Sequence, residues 1–255
     1  MKLAKFLLPA FLLFSLASCF DIDEEIDINK NGSGQWQMHI DMSQLVDLMQ
    51  TYMNKDDLEK QFPQKKMDTV ILMKDVIDTA KNVSADKKAL LHDGKVHLLV
   101  NMDEKVLKTD MQFPFSNLND MKQLRSSLGN TNSGTGQMFK GLSGGKTGDD
   151  TSAGPDLSMF TSLYDFNISD GKISSTINKM KWDSVQKNPQ FSQIKDAANT
   201  GIDVPYSLTI KLPRPVIKVD NPVAKISEDK KTVIIKYNMM EIYDKPEKFE
   251  YHIEY

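Results

Sequence analysis

A chain of 255 residues with 40% hydrophobic and 26% charged side chains is long enough for one large domain or two small ones, and it has a folded composition. Its single Cys excludes an intrachain disulfide framework and a multi-cysteine metal site, so no metal and no cofactor are expected. The net charge of −3 lacks the basic excess of a nucleic-acid binder, and no nucleic-acid partner is expected.

Lys2 and Lys5 precede a twelve-residue apolar run, Phe6 to Ala17. That run is shorter than the ~20 residues of a membrane span and suits the apolar region of a signal peptide. It ends in Leu16-Ala17-Ser18-Cys19, which resembles the lipobox of bacterial lipoproteins. The resemblance implies cleavage between Ser18 and Cys19, a diacylglycerol on the Cys19 sulfur, and a further acyl chain such as palmitate on the new amino terminus. Several acyl chains anchor firmly where one is marginal. Removal of residues 1–18 takes two lysines and no acid, leaving a net charge of −5. Residues 19–24 carry Asp21, Asp23 and Glu24. They resemble either a surface-export signal or a short solvated acidic tether. The expected location is the outer membrane or cell surface rather than the inner membrane.

The body is expected to run over residues 25–255. Alternating Ile26 and Ile28, then Trp36, Met38, Ile40 and Met42, flank an Asn-Gly turn and predict a hairpin. Ser43 is placed to cap a helix with an apolar stripe of Leu45, Leu48, Met49, Tyr52 and Met53. After Pro63, the spacing of Met67, Val70, Ile71, Met73, Val76, Ile77 and Ala80 predicts a second helix. A third is expected from Ser84 to Asp93-Gly94. Val96, Leu98, Val100 and Met102 alternate, Asp103-Glu104-Lys105 turns, Val106 to Phe115 returns, and Ser116 caps a helix reaching Leu128.

Residues 129–155 hold eight of the 13 Gly and read as a flexible insertion that buries too little to offset its ordering entropy. Beyond it, Phe160 to Ile168 and Lys172 to Met180 flank a Ser169-Asp170-Gly171 turn, with a helix from Asp183. This makes three hairpin-then-helix modules. The last third reads as strand: Tyr206 to Leu212, Val216 to Ile226, Thr232 to Met240, and Phe249 to Tyr255. The expected class is α+β, an antiparallel sheet built from hairpins with amphipathic helices on one face.

Two tempting motifs fail. Gly141 to Thr147 looks like a phosphate-binding loop, but Lys140 stands where its first Gly belongs, and the flanking strand and helix are missing. Asp27, Asn29, Asn31 and Gly32 match the first half of a calcium loop, but Met38 occupies the position of the bidentate Glu. His39, His97 and His252 fall on the polar phases of their strands and His92 ends a helix, so all four read as surface residues. Asp56-Asp57 and Asp149-Asp150 read as solvated charge, and no catalytic constellation stands out. The mature chain keeps 14 Met, a flexible side chain suited to adaptable apolar surfaces. Two readings follow: a core that uses Met in place of Leu, or an apolar pocket lined by Trp36, Met38, Met49, Met53 and Met73.

The stretch Ile28 to Asp41, after a lipobox, is similar to the early strand of LppM-like bacterial lipoproteins, with a further match around Thr232 to Met240. That resemblance implies a membrane-tethered α+β domain handling lipid or lipoglycan. The helical segment 43–92 and the Gly-rich insertion depart from it. The leading expectation is a lipid-anchored, non-catalytic envelope binding module for lipid or another apolar ligand. The alternatives are a structural partner in an envelope assembly and, third, an envelope hydrolase.

Overall fold

A computed structural model describes residues 21–54, 65–78, 80, 83–128, 163–187, 191, 195 and 203–255. The signal segment 1–18, Cys19, the 129–155 insertion with its Gly141–Thr147 motif, and Asp56-Asp57 lie outside the described residues.

The chain opens on a hairpin of β1 (Asp21–Ile28) and β2 (Gly34–Asp41), paired antiparallel from Asp21↔Asp41 to Ile28↔Gly34. Gly32 closes its loop at φ +81, a left-handed geometry natural to glycine. The Asn31 side chain accepts from the Ser33 N–H at 3.1 Å. The half calcium motif is therefore a hairpin loop. The acidic tether gives way over residues 21–24, which form the first half of β1 with Ile22 and Glu24 buried.

Helix α1 (Ser43–Tyr52) follows. Ser43 does not cap it: the Asp41 carboxylate accepts from the Ser43 N–H at 2.9 Å, while the Ser43 hydroxyl accepts from Leu107 N–H at 3.2 Å. Burial alone would raise the Asp41 pKa, but the bonds from Ser43 and Lys108 outweigh it and hold that carboxyl below its ordinary value.

The second predicted helix is corrected. Lys66–Leu72 is strand β3, and only Met73–Ile77 is helical, as α2. Helical and strand spacing overlap in this segment, because Met67 and Ile71 share a face in either form. The β-branched run Thr69-Val70-Ile71 and seven paired residues on the neighbouring strand decide for the sheet. Met73 and Ile77, one turn apart, are fully buried. Helix α3 (Ala85–Leu91) follows its N-cap residue Ser84 and leads into β4 (Lys95–Asn101) and β5 (Val106–Phe115). Lys105, at φ 57, turns between them.

Helix α4 spans Leu118–Leu128. Its cap is Asn117 rather than Ser116: the Asn117 side chain accepts from the Asp120 N–H at 3.0 Å. The third module comprises β6 (Tyr164–Ser169), β7 (Lys172–Ile177) and α5 (Lys179–Val185), with Asn178 accepting from Lys181 N–H. Hairpin-then-helix thus occurs three times, ending in α1, α4 and α5.

The C-terminal third supplies β8 (Pro205–Lys211), β9 (Lys218–Asp220), β10 (Lys225–Ile226), β11 (Thr232–Asn238) and β12 (Tyr251–Glu254). Two 3-10 turns, Met239–Tyr243 and Pro246–Phe249, precede β12. The long strand expected over Val216 to Ile226 is split into β9 and β10, which belong to different sheets. One sheet has eight strands in the order β10-β11-β8-β1-β2-β5-β4-β3, and the other four in the order β6-β7-β12-β9. Pairing is antiparallel except between β1 and β8, which are parallel. The class is α+β, with two sheets where one was expected.

One face of the large sheet carries Ile22, Ile26, Trp36, Phe113, Val96, Leu208, Ile210, Val233 and Ile235, all buried. Ile173, Tyr251 and Ile253 of the small sheet join the same core, as do Ile77, Leu91, Met121 and Leu124 of the helices. The other face of the large sheet is polar, with Asp23, Gln37, His39, Asp110, His97 and Lys236 in the opposite phase. Such one-sided burial is what an alternating antiparallel sheet permits.

Candidate functional site

The five residues proposed to line an apolar pocket are divided between two clusters. Trp36 and Met73 are buried in the main core, and Met38 packs against it. Met49 belongs to a second cluster with Val46, Val100 and Met102, against which Met53, Met67 and Leu107 pack. This second cluster lies where α1 covers β4 and β5. Four of its seven residues are Met.

The polar face of the large sheet brings together two of the histidines read as isolated surface residues. Register places His39 opposite Asp110 and Asp110 opposite His97 across β2, β5 and β4. The His39 Nδ1 is 2.5 Å from Asp110 Oδ1, and the His97 Nδ1 is 3.6 Å from Asp110 Oδ2. The His97 Nε2 lies 2.7 Å from Asp68 Oδ1 of β3. The result is a His–Asp–His–Asp row crossing four strands. Its members are a third or more exposed, so water screens their charges. The row links its imidazoles and carboxylates by close polar contacts, but it runs in a line instead of converging. Among the described residues, no group of three or more His, Cys, Asp or Glu is placed to hold a metal ion.

The most enclosed polar site lies inside the core. Glu24 projects from the apolar phase of β1, between Ile22 and Ile26, and its side chain is fully buried. Its Oε1 accepts from the Trp36 indole N–H at 2.8 Å. Its Oε2 accepts from the Arg125 guanidinium of α4 at 3.0 Å and from the Tyr206 hydroxyl of β8. Arg125 also donates to the Tyr251 hydroxyl of β12 at 3.2 Å, and its guanidinium carbon sits 4.5 Å from the Phe166 ring centre. Tyr237 stacks on Tyr206 at 4.9 Å and meets Phe249 edge-on at 4.2 Å. One carboxylate and one guanidinium thus tie β1, β2 and β8 of the large sheet to α4 and to β12 of the small sheet.

Burial is the largest single influence and opposes the charge of Arg125, but the Glu24 carboxylate together with the phenols of Tyr251, Tyr206 and Tyr237 outweighs it and raises the guanidinium pKa well above its ordinary value. Burial, then the charge of Glu24, holds the Tyr206 hydroxyl well above its usual pKa. Burial also raises Tyr237 and Tyr251. The sign of the linkage follows. These phenols stay neutral in the fold, whereas in the unfolded chain they ionise near pH 10. Their contribution to stability is therefore complete below about pH 10 and is lost as pH rises through their folded values. In an alkaline titration, tyrosinate absorbance of these residues should appear together with loss of the folded circular dichroism signal. Ionisation at the ordinary pH with the fold intact would contradict the burial argument.

Sequence reading missed this site, although one signal was present. Glu24 stands in the alternation Ile22, Glu24, Ile26, Ile28, an acid on the phase that otherwise goes inward. Arg125 has no equivalent mark, because a long cation beside Met121 and Leu124 on an amphipathic helix reads as a flank of the polar face.

No helix among the described residues is long and apolar enough to cross a membrane. A scan against models of known protein families finds no match, and neither does a search of curated proteins. Among solved structures, the chain is similar to the folded domain of LppM from Mycobacterium tuberculosis, determined by NMR. The alignment covers 87% of this chain and 83% of that one, at 9% identity and a TM-score of 0.33. At that score the likeness carries no argument about fold or function.

Proposed function

We propose that this chain is a lipid-anchored protein of the bacterial cell envelope, acylated on Cys19, whose α+β body acts as a non-catalytic binding module. The observation that carries the reading is the Leu16-Ala17-Ser18-Cys19 run: the only Cys in the chain stands where a lipobox requires it, after a basic and then apolar leader. β1 includes Asp21, so the described fold reaches to within two residues of Cys19. The apolar-ligand surface is the methionine-rich cluster beneath α1, with Met49, Met53, Met67 and Met102, whose unbranched side chains repack readily around an acyl chain.

A second reading, a partner in an envelope assembly, draws on the segment joining the two sheets. There Ile217 is 77% exposed and Ile226 is 47% exposed, beside the edge strands β9 and β10.

Intact mass measurement after gentle detergent extraction tests the anchor. The expected species begins at Cys19 with the added mass of its acyl chains, and Cys19→Ser should leave an uncleaved, unacylated precursor. A mature chain lacking acyl groups would reject the anchor. Native mass spectra of the same sample are expected to show a bound lipid, and its loss on Met49→Gln would locate the ligand surface.

A further inference from the structure

The end of the large sheet at which β1 begins is set apart from the other by the chain itself. Two peptide units separate Cys19 from Asp21, so their Cα atoms lie within about 8 Å of each other. β1 is the fourth of eight strands, paired with β2 at Asp21↔Asp41 and with β8 at Ile22↔Tyr206. An anchor at Cys19 is therefore held within two residues of the middle of one end of the sheet.

We infer that this end is the membrane-facing surface of the body and rests against phospholipid headgroups with the strands upright on the bilayer. The inference rests on the reading of Cys19 as acylated. Tilting in either direction would drive the strand ends flanking β1 into the headgroups, which resists rotation about the anchor. Register shows what shares that end. Asp41 lies opposite Lys108, Lys108 opposite Leu99, Asn101 opposite Lys66, and Pro205 opposite Asn238. Helix α1 starts there, and so does the turn between β4 and β5. Exposed charges of both signs share that end: Lys105 pairs with Asp47 and Lys66 with Asp103 at 3.5 Å, and Asp21, Lys65 and Glu104 are exposed beside them. Such a mixed surface suits zwitterionic headgroups, with attachment supplied by the acyl chains and not by net charge. The β1–β2 loop and the turn between β10 and β11 lie at the other end, roughly 25 Å away at about 3.3 Å per strand residue. The methionine-rich cluster under α1 then lies on the membrane side, where an acyl chain can reach it.

Acylation consumes the Cys19 sulfur, so an introduced cysteine is the one thiol available for labelling. The acylated full-length chain would carry an environment-sensitive fluorophore at Asp103→Cys or Asp47→Cys on the membrane side, or at Lys30→Cys or Asp229→Cys on the far side. All four positions are exposed. The proteins would be reconstituted in phosphatidylcholine vesicles containing a headgroup nitroxide lipid, with fold checked by circular dichroism. Quenching at residues 103 and 47 is expected to exceed that at 30 and 229 several-fold. Equal quenching at both ends, or stronger quenching at 30 and 229, overturns the orientation while leaving the anchor intact. An intact mass without acyl groups would instead remove the anchor itself, so the two failures are distinguishable.

Discussion

Replacing Arg125 with Met is expected to cost about 3–5 kcal/mol of folding stability, because it leaves the Glu24 carboxylate buried without its counter-charge. For a body of this size, each kcal/mol corresponds to roughly 2–4 °C in Tm, so thermal unfolding should fall by about 6–20 °C. Glu24 still accepts from Trp36 and Tyr206 in this variant, but two neutral donors do not balance a charge taken out of water. Tyr206→Phe removes one of those donors and should cost about 1–2 kcal/mol. The informative variant is the double replacement Glu24→Leu with Arg125→Met. Removing both charges together leaves no unpaired charge between β1 and α4, and although the Trp36 and Tyr206 donors lose their acceptor, the double variant should be more stable than Arg125→Met alone. Chemical denaturation of Arg125→Met, of Glu24→Leu and of the double variant measures this. If the double loss equals the sum of the single losses, the two groups do not act as a pair.

The second large effect is expected at Gly34, the first residue of β2. A Cβ built there would lie 1.9 Å from the backbone oxygen of Asp27 and 2.4 Å from the Phe115 ring. The Phe115 ring has little room to turn, since it is 4% exposed, and the Asp27 carbonyl cannot retreat without opening the hairpin. Gly34→Ala should therefore reach about 3 kcal/mol, the upper part of the range for overpacking. Gly32→Asn is the control. Its φ of +81 is strained for any side chain but least so for Asn, and a side chain there would meet only Leu118 at 3.7 Å. Comparable losses at the two positions would show that backbone conformation, and not close approach, governs this loop.

These residues mark how far the sequence could be read. The three hairpins were legible because alternation and short polar turns are local signals, and their partners lie close in the chain. β3 was not, because an edge strand half in contact with solvent loses strict alternation: Val70 is 58% exposed, and the remaining apolar residues fall at helical spacing by coincidence. The break between β9 and β10 had a local signal, the Asn221-Pro222 turn dipeptide inside the expected strand, but the change of sheet across it had none. Two of the histidines were placed correctly on a polar face. Their shared carboxylate, Asp110, became apparent only with strand order, 71 residues away from His39 in the chain.

The sequence alone determined the α+β class and the hairpin modules, and it supplied the pattern, a basic and apolar run ending in the single Cys, on which the proposed anchor rests. All of these rest on patterns spanning fewer than about 20 residues, where covalent spacing and the two- or 3.6-residue period set the outcome. Tertiary structure decided the pairing of β1 with β8 and the division into two sheets. It also brought Glu24 to Arg125 across 101 residues of chain, and separated Met49 and Met53 from Trp36 and Met73. The physical reason is that burial couples residues by volume and charge compensation, quantities that depend on which surfaces meet. A buried glutamate is readable in sequence as an anomaly of phase, but the cation that makes it tolerable is fixed only when the helix carrying it packs between the sheets.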